Sequence, residues 1–520
     1  MSRYNNLPGV NIDVKDGQMM LTQNNTANSM LIIGEVKAPS NIEVLEDAVL
    51  VQNEDVLFEN FGRYFYQGAV NPIAAEWYVA RNAGVQNIYL LGLNEESPKA
   101  NFIKLQDLLD NVIADYQFSH IIVSSMYADE DIEGLTAEDF GVKDIGEVGG
   151  LQGYFTSRAG VEATALELSG SETATLTVSG AAVEDIVITV RRQQNNPQAL
   201  VDHLTEQYRL AASEFASNTD IIFSLEDGKA VVKSTDDVTL EGTEVLSALN
   251  LTEADSELEG IGNPAQLIGN FAEKQTVESE AAIVYIATKP PRNTSKSEIR
   301  STVDRLVERR NEFSRHVQVI AGPQVGVTLP GSLRTQWLTG VTQYAVLVNS
   351  LAVQNAPTNQ PVPGVSALRY DLSLRQLDEL TANKYVTFRT KNNRIVVVDG
   401  VTTAPDLYVG QDIVKSDFTR LSTLRSVNYM VKGIREVTDP FIGQPNDFPG
   451  YNAMNTAIKA LIKRAVDFGV IQDAAYSIVL GDDLAMDKAV INMTILPQFE
   501  LRAVDVSIGL ATPAGFESLE

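Results

Sequence analysis

The sequence predicts an α/β multidomain chain: a central α/β domain, an inserted α+β module, a C-terminal α+β domain, and an extended β-strand arm at each end. Three observations predict it. Helices alternate with continuously apolar strands in the first part of the chain, the texture of a largely parallel sheet covered on both faces. That texture gives way to short alternating strands and resumes at AAIVYIATK (281–289), so the intervening stretch reads as an insertion. Strands with a single apolar face stand at both termini. At 520 residues the chain also exceeds what one core organises, at about 100 to 200 residues per domain. The expected boundaries are 1–25 for the N-terminal arm, 26–144 with 271–334 for the central domain, 145–270 for the module, 335–502 for the C-terminal domain and 503–520 for the C-terminal arm.

Taken in order, GVNIDV (9–14) alternates apolar and polar, placing Val10, Ile12 and Val14 on one side of a strand. Residues 30–33 form a second short strand ended by Gly34. The stretch IAAEWYVARNA (73–83) reads as a helix closed by Gly84, and NIYLLGL follows as a buried strand. A helix over about 102–116 and an apolar strand at 120–124 complete the first run. Within the module, ATLTVSG, DIVITVRR, DIIFSLEDG and KAVVKSTDD are strands around one helix near 199–212, with a hairpin turned at Asp227-Gly228. After the resumption, a helix over 297–314 leads to the strand VQVIAG. A helix over QWLTGVTQYAVLVNSLAV (336–353) and a Pro-rich loop follow. YVTFRT and RIVVVDG then flank Asn392-Asn393, two residues that tolerate the positive backbone angles of a tight hairpin. Helices at 417–436 and 452–468 and the strands AVINMTILP and AVDVSIGL close the chain. No repeat of about 20 to 50 residues is evident.

Composition excludes several classes of function. An apolar fraction of 44% with 21% charge is that of a chain with a real core. With 40 basic against 68 acidic residues and a net charge of -28, the chain repels phosphate backbones and anionic lipid, so neither nucleic-acid binding nor membrane-surface binding is expected. No apolar run approaches the roughly 20 residues of a membrane span, so no direct membrane insertion is expected. The opening MSRYNNLPGVNIDV lacks the apolar core of a secretion signal. Zero cysteine removes disulfides, thiolate metal sites and thiol nucleophiles together. The charge is uneven: residues 1–280 hold 15 basic and 45 acidic side chains, and residues 281–520 hold 25 and 23. One half reads as solvated surface and the other as a half that tolerates close packing against copies of itself.

The motifs of chemistry are nearly absent. There is no GxxxxGK[ST], and GEVGGLQG (146–153) has glycines without the lysine or the strand-to-helix context of a phosphate loop. Asp129, Asp131, Glu133 and Gly134 imitate the first half of a calcium loop. Its twelfth position is Phe140, which supplies no closing carboxylate, so a solvated acidic turn is expected. The three histidines each have a structural reading: His120 opens a buried strand, His203 lies on the module's helix, and His316 ends a helix where the dipole favours a cation. None sits in a GxSxG-type nucleophile motif. No catalytic residue, metal site or cofactor is expected.

Two features concern geometry. The strands at Val10, Ile12, Val14 and at Val504, Val506, Ile508, Leu510 are tethered by QNNTANS and LPQF. Each can pair within its own sheet or add to the open edge of a neighbouring copy. On the helix NAMNTAIKALIKRAVDFG (452–469), Met454, Ile458, Leu461, Ile462 and Ala465 form an apolar stripe, while Lys459 and Lys463, one turn apart, and Arg464 lie on the exposed face. That face is either simply solvated or suited to a partner of opposite charge.

The ordered run of VTFRTKNNRIVVVDGVTT (386–403), SDFTRLSTLRSVNYMVKGIRE (416–436), FIGQPND (441–447), FGVIQD (468–473) and NMTILPQFELRAVDVSIGL (492–510) resembles the tail sheath proteins of contractile bacteriophages. PGVNIDV and VARNAGVQNIYLLGL (79–93) match the same family, and the likeness spans most of the chain outside about 130–275. The resemblance implies a non-enzymatic structural subunit that forms stacked hexameric rings around a tail tube, with terminal arms woven into neighbouring subunits. It implies a subtilisin-like central α/β domain without catalytic residues, an outward-facing insertion, and a C-terminal sheath core domain whose Lys459, Lys463 and Arg464 face the tube. Partners would be further copies, the tail tube protein, and baseplate and tail terminator proteins, in a virion tail assembled in the bacterial host cytoplasm. Contraction would draw on a metastable packing stored at assembly, since no nucleotide site is present to fuel it. The alternatives are the sheath of a headless contractile bacteriocin or injection particle, a tube-like or flagellin-like filament, and a hydrolase on a subtilisin-like fold.

Overall fold

The structure is a computed structural model that describes most of residues 29–135, 153–278, 281–480 and 489–500; 1–28, 136–152, 481–488 and 501–520 are among those outside it. It is a mixed α/β architecture, and its organising element is a sheet of seven strands. These are β1 (Ser29–Glu35), β2 (Val49–Leu50), β3 (Asn87–Leu93), β4 (His120–Tyr127), and three more strands described in chain order below.

Between β2 and β4 lie helices α1 (Glu54–Asn60), α2 (Pro72–Asn82) and α3 (Pro98–Asp107). The chain then passes through strands β5 (Ile132–Leu135), β6 (Gly153–Arg158), β7 (Ala174–Gly180) and β8 (Val183–Val190), helix α4 (Pro197–Glu214), strands β9 (Ile221–Glu226), β10 (Lys229–Ser234) and β11 (Val238–Glu241), helix α5 (Thr243–Leu249) and strand β12 (Glu259–Gly262). Helix α6 (Pro264–Glu278), strand β13 (Ile283–Ala287), helix α7 (Lys296–Glu308) and strand β14 (Val317–Ile320) return it to the large sheet. Strands β15 (Val325–Val327) and β16 (Gln336–Leu338), helix α8 (Val341–Ser350), strand β17 (Ala367–Leu368), helix α9 (Leu374–Ala382) and strand β18 (Tyr385–Val386) follow. The last elements are β19 (Phe388–Lys391), β20 (Arg394–Val397), α10 (Leu421–Thr438), α11 (Phe448–Asp467), β21 (Ile471–Leu480) and β22 (Ala489–Pro497).

The large sheet has the order β2-β3-β1-β4-β13-β14-β18, parallel throughout except for β2. Its centre is apolar on both faces, as a doubly covered parallel sheet requires. Met30, Leu31, Ile32 and Ile33 of β1 are all fully buried, and the strand alternates between two cores. Leu31 and Ile33 join Phe102 and Leu105 of α3, Ile268 of α6 and Val303 of α7. Met30 and Ile32 join Trp77 of α2, Tyr344 of α8 and Leu421 of α10. Helices therefore cover both faces, and β4 and β13 are neighbours, Ile283 opposite His120, although 155 residues lie between Tyr127 and Ile283.

Between those neighbours stand a five-stranded sheet, β9-β10-β6-β12-β5, and a three-stranded one, β8-β7-β11. The strands that enter and leave this region, β5 and β12, pair with each other, Leu135 opposite Gly260. Side chains of the region, including Leu176, Ile188, Tyr208 and Val232, are continuous with the core under Leu31.

Three predicted helices have different bounds. The helix expected over 102–116 spans Pro98–Asp107, because Ser97 caps it by accepting from the Ala100 amide at 3.1 Å and Pro98 occupies its first position. The helix expected from 336 begins at Val341. Gln336–Leu338 is instead a strand opposite Val325–Val327, and Gly340, at φ +87°, breaks the run between them. An apolar run of this length fits strand and helix alike, and the glycine decides. The helix expected over 297–314 ends at Glu308, so His316 is not at a helix end. It sits buried just before β14; its Nδ1–H donates to Ala282 O at 2.9 Å while Nε2 accepts from Arg315 Nε at 3.4 Å, a pairing that only the neutral ring makes.

Candidate assembly surface: the C-terminal helices and hairpin

The C-terminal region is built on α10. Its buried face, Leu421, Leu424, Val427 and Val431, packs onto the core beneath Met30, while Tyr429 and Met430 face a separate small core. Arg425 lies in the same buried surface. Its guanidinium donates to the carbonyls of Leu351 (2.7 Å), Ala352 (3.1 Å) and Asn355 (3.2 Å) at and beyond the C-terminus of α8. The negative end of the α8 dipole thus takes the place of a carboxylate. A second arginine, Arg435, donates to Thr276 O of α6 at 2.5 Å and ties α10 across the molecule.

Helix α11 packs on α10 through the predicted stripe. Ile458, Leu461 and Ala465 are buried, and Met454 and Ile462 are partly buried against the same small core. Lys459, Lys463 and Arg464 are exposed, on the face the spacing assigned to them. The helix ends at Gly469, φ +68°, where the Val470 amide reaches back to Ala465 O at 3.0 Å.

That turn launches β21, which pairs antiparallel with β22, Tyr476 opposite Met493 and Ile478 opposite Ile491. Alternation assigns the faces: Met493 and Ile495 are buried against α10 and α11, while Asn492, Thr494 and Leu496 are exposed. Tyr476 OH bonds Asn455 of α11, through its backbone carbonyl at 3.2 Å and through its side chain. Among the described residues β21 and β22 form a two-stranded sheet, so each has one edge of main-chain donors and acceptors without a strand partner. A two-stranded sheet is marginal alone and its edges are templates for an added strand.

The remaining expected site residues fall elsewhere. Val10, Ile12, Val14, Val504, Val506, Ile508 and Leu510 lie outside the described residues, as do Phe140 and the Asp227-Gly228 turn. The three histidines are not brought together. His120 Nδ1 is 2.9 Å from Tyr285 OH, and burial, aided by the Arg425 charge, lowers its pKa to about 3. Burial likewise lowers His316 to about 3, aided by Arg315. Both are structural, and His203 is half-buried on α4. The acidic turn is not freely solvated: Asp129 accepts from the Lys289 amide at 2.6 Å and meets Arg305, and Asp131 holds Arg309 through two bonds of 2.9 and 2.7 Å. The turn thereby anchors α7 to the end of β4. No cluster of metal-ligating side chains is found among the described residues. Arg425 and Glu76, a buried carboxyl on α2, escaped the sequence reading. Their signal was faint: each is one charge at core spacing within an apolar helix.

No family model matches the chain, and no curated protein does. Among solved structures, the chain is similar to one in the cryo-EM structure of the anti-feeding prophage (AFP) baseplate, 6-fold symmetrised, with a TM-score of 0.51 at 13% identity over 98% of this chain and 100% of that one. It is also similar to the AFP helical sheath in its contracted state (TM-score 0.48, 13% identity, 98% and 99% covered). A third is the crystal structure of a sheath tail protein from Listeria innocua (TM-score 0.38, 13% identity, 92% and 94% covered). The first likeness, over 98% of this chain, is one of fold.

Proposed function

We propose that the chain is the structural, non-enzymatic subunit of a contractile sheath, polymerising as stacked hexameric rings around an inner tube. The observation that carries the reading is the open-edged β21–β22 hairpin, fixed on a helical core in a chain of this fold. The terminal strands at Val10–Val14 and Val504–Leu510 are its complement: added to the two edges by neighbouring copies, they would complete a four-stranded sheet. Each main-chain hydrogen bond so formed contributes about 0.5 to 1.5 kcal/mol net, so a strand of several residues is a substantial joint. The boundaries 145–270 for the insertion and 335–502 for the sheath core belong to this reading, as does the tube-facing role of Lys459, Lys463 and Arg464.

The stroke in this reading is a repacking of rigid subunits from a metastable extended array, with the shared strands acting as hinges. The particle is a phage tail or a headless injection particle, and the tail tube, baseplate and terminator proteins are the partners. Negative-stain electron microscopy of the purified chain tests the proposal. Wide hollow cylinders or rings are expected; persistent monomers at high concentration, or filaments with no lumen for a tube, overturn it.

A further inference from the structure

We infer that the β19–β20 hairpin is a cationic docking surface for the acidic surface of residues 1–280 on a second copy of this chain. The inference deepens the polymer reading above and rests on it. The inner end of the hairpin is fixed by burial of Phe388, Val396 and Val397. Its outer end is a tight turn with Asn392 at φ +50° and Asn393 at φ +57°, which locks Lys391 directly opposite Arg394. Like charges directly opposite on a β-ladder are destabilising.

No carboxylate among the described residues pairs with them. Arg389 Nη2 and Lys391 Nζ both donate to one neutral oxygen, Asn359 Oδ1, at 3.0 and 3.1 Å. Asn359 is itself clamped to the hairpin by its amide, which donates to Val397 O at 2.9 Å. Arg389 Nε is buried without a hydrogen-bond partner among the described residues, and none of the three cations has an ion pair there. Among the described residues the hairpin therefore holds three cations without an ion pair, in a chain whose net charge is -28.

The acidity lies in the other half, where 45 acidic side chains face 15 basic ones. One patch there is Asp55 and Glu59, exposed and one turn apart on α1, likewise without an ion pair among the described residues. Unrelieved charges of opposite sign on the two halves of one chain favour a head-to-tail contact, the kind that propagates into rings or helices. Nucleic acid is the poorer partner, because its charge of one per about 1.7 Å meets the repulsion of the whole acidic molecule.

Zero-length carbodiimide coupling of the full chain tests this, using mixed isotopically heavy and light copies and peptide mass spectrometry. Amide links between copies are expected from Lys391 to carboxylates within 1–280. They should drop at least about fivefold in an Arg389→Gln/Arg394→Gln variant of unchanged circular dichroism, and similarly in about 1 M salt, where the screening length is about 3 Å. Polymers in which Lys391 couples only within its own copy, or only to residues 281–520, overturn the inference while leaving the sheath reading intact. Heavy-to-light links from Lys391 in a concentrated chain that forms no polymer retain it and reject the sheath reading; no such links in that chain reject both. Retention by double-stranded DNA that the variant abolishes, in place of the links, also overturns it.

Discussion

Lys384 Nζ lies 2.6 Å from Glu312 Oε1, a nearly buried ion pair that joins the strand after α9 to the segment leading into β14. The same ammonium meets Asp406 at 2.9 Å and donates to Ala404 O at 2.8 Å. Lys384 adopts φ +63°, a left-handed conformation that carries the chain from α9 directly into β18. The backbone stays there because Asn311 Nδ2 donates to the carbonyls of both Asn383 (3.2 Å) and Lys384 (3.0 Å). One cation therefore closes the edge of the large sheet.

Lys384→Met is expected to destabilise the chain by about 3 to 5 kcal/mol, since it leaves two carboxylates without their cation in a largely dry site. Urea denaturation followed by circular dichroism measures it. A loss below about 1 kcal/mol would mean that solvent already screens the cluster.

Arg425 provides a second test of buried charge. Arg425→Met removes three donors from the carbonyls that end α8 and should cost several kcal/mol, while Arg425→Lys, a point charge with a shorter reach, should restore only part of it. The same denaturation series compares the two variants, and equal stability of both would place the effect in packing and not in the hydrogen bonds.

The pH dependence follows from three buried groups of opposite sign. Burial raises the Glu76 carboxyl from 4.5 to about 7, with the Thr342 hydroxyl opposing. A carboxyl raised in the folded state contributes stability that is full below about pH 4.5 and lost as pH rises to about 7, about 3 kcal/mol in all. His120 and His316, lowered from 6.5 to about 3, act the other way: their stability is full above about pH 6.5 and falls by about 1.4 kcal/mol per histidine per pH unit as the solution acidifies. Stability should therefore peak near about pH 6.5, where the steeper histidine slope gives way to the Glu76 slope. Glu76→Gln should flatten the decline above the peak; an unchanged profile would show that Glu76 is not the titrating group.

Gly340 separates β16 from α8 at φ +87°, and a Cβ there would stand 2.6 Å from the Phe388 ring and 3.3 Å from Val325. Gly340→Ala combines a left-handed strain of roughly 1 to 2 kcal/mol with overpacking of about 1 to 3 kcal/mol. A lowered midpoint in thermal unfolding is expected. Adding Phe388→Leu should recover part of it by making room for the methyl group.

These residues also mark where the sequence was legible. The apolar runs at Met30–Ile33, Ile121–Val123 and Ile283–Ala287 could be read as buried parallel strands, because a sheet covered on both faces needs no alternation. The stripe of α11 and the Asn392-Asn393 turn follow equally from periodicity and backbone preference. The helix expected over 336–353 ran through Gly340 because a glycine inside an apolar run costs a helix only about 1 kcal/mol, and the clash a side chain there would make with Phe388 is a tertiary fact. His316 was misplaced because the helix before it stops at Glu308, well short of the ring. Lys384, Arg425 and Glu76 depend on carbonyls and carboxylates far away in sequence, so composition treats them as ordinary surface charges. The open edges of β21 and β22 were equally hidden, since alternation along AVINMTILP reports a buried face and says nothing of how many strands lie beside it.

Those edges lead to the last prediction. If neighbouring copies fill them, deleting residues 1–15 or 503–520 should leave the monomer's unfolding curve nearly unchanged, because the core of α10, α11 and the hairpin is complete among the described residues. Assembly should fail in either truncation, since a lattice needs both the donated strand and the edge that receives it. Mixing the two truncations sharpens the test. Each retains one of the two arms, so a mixture offers half of the joints, no more than either truncation alone, and should likewise form no long polymers. Sedimentation velocity measures the outcome. Full-length polymers from either truncation would mean that the arms fold onto their own subunit, leaving the hairpin edges to be covered by something other than a borrowed strand.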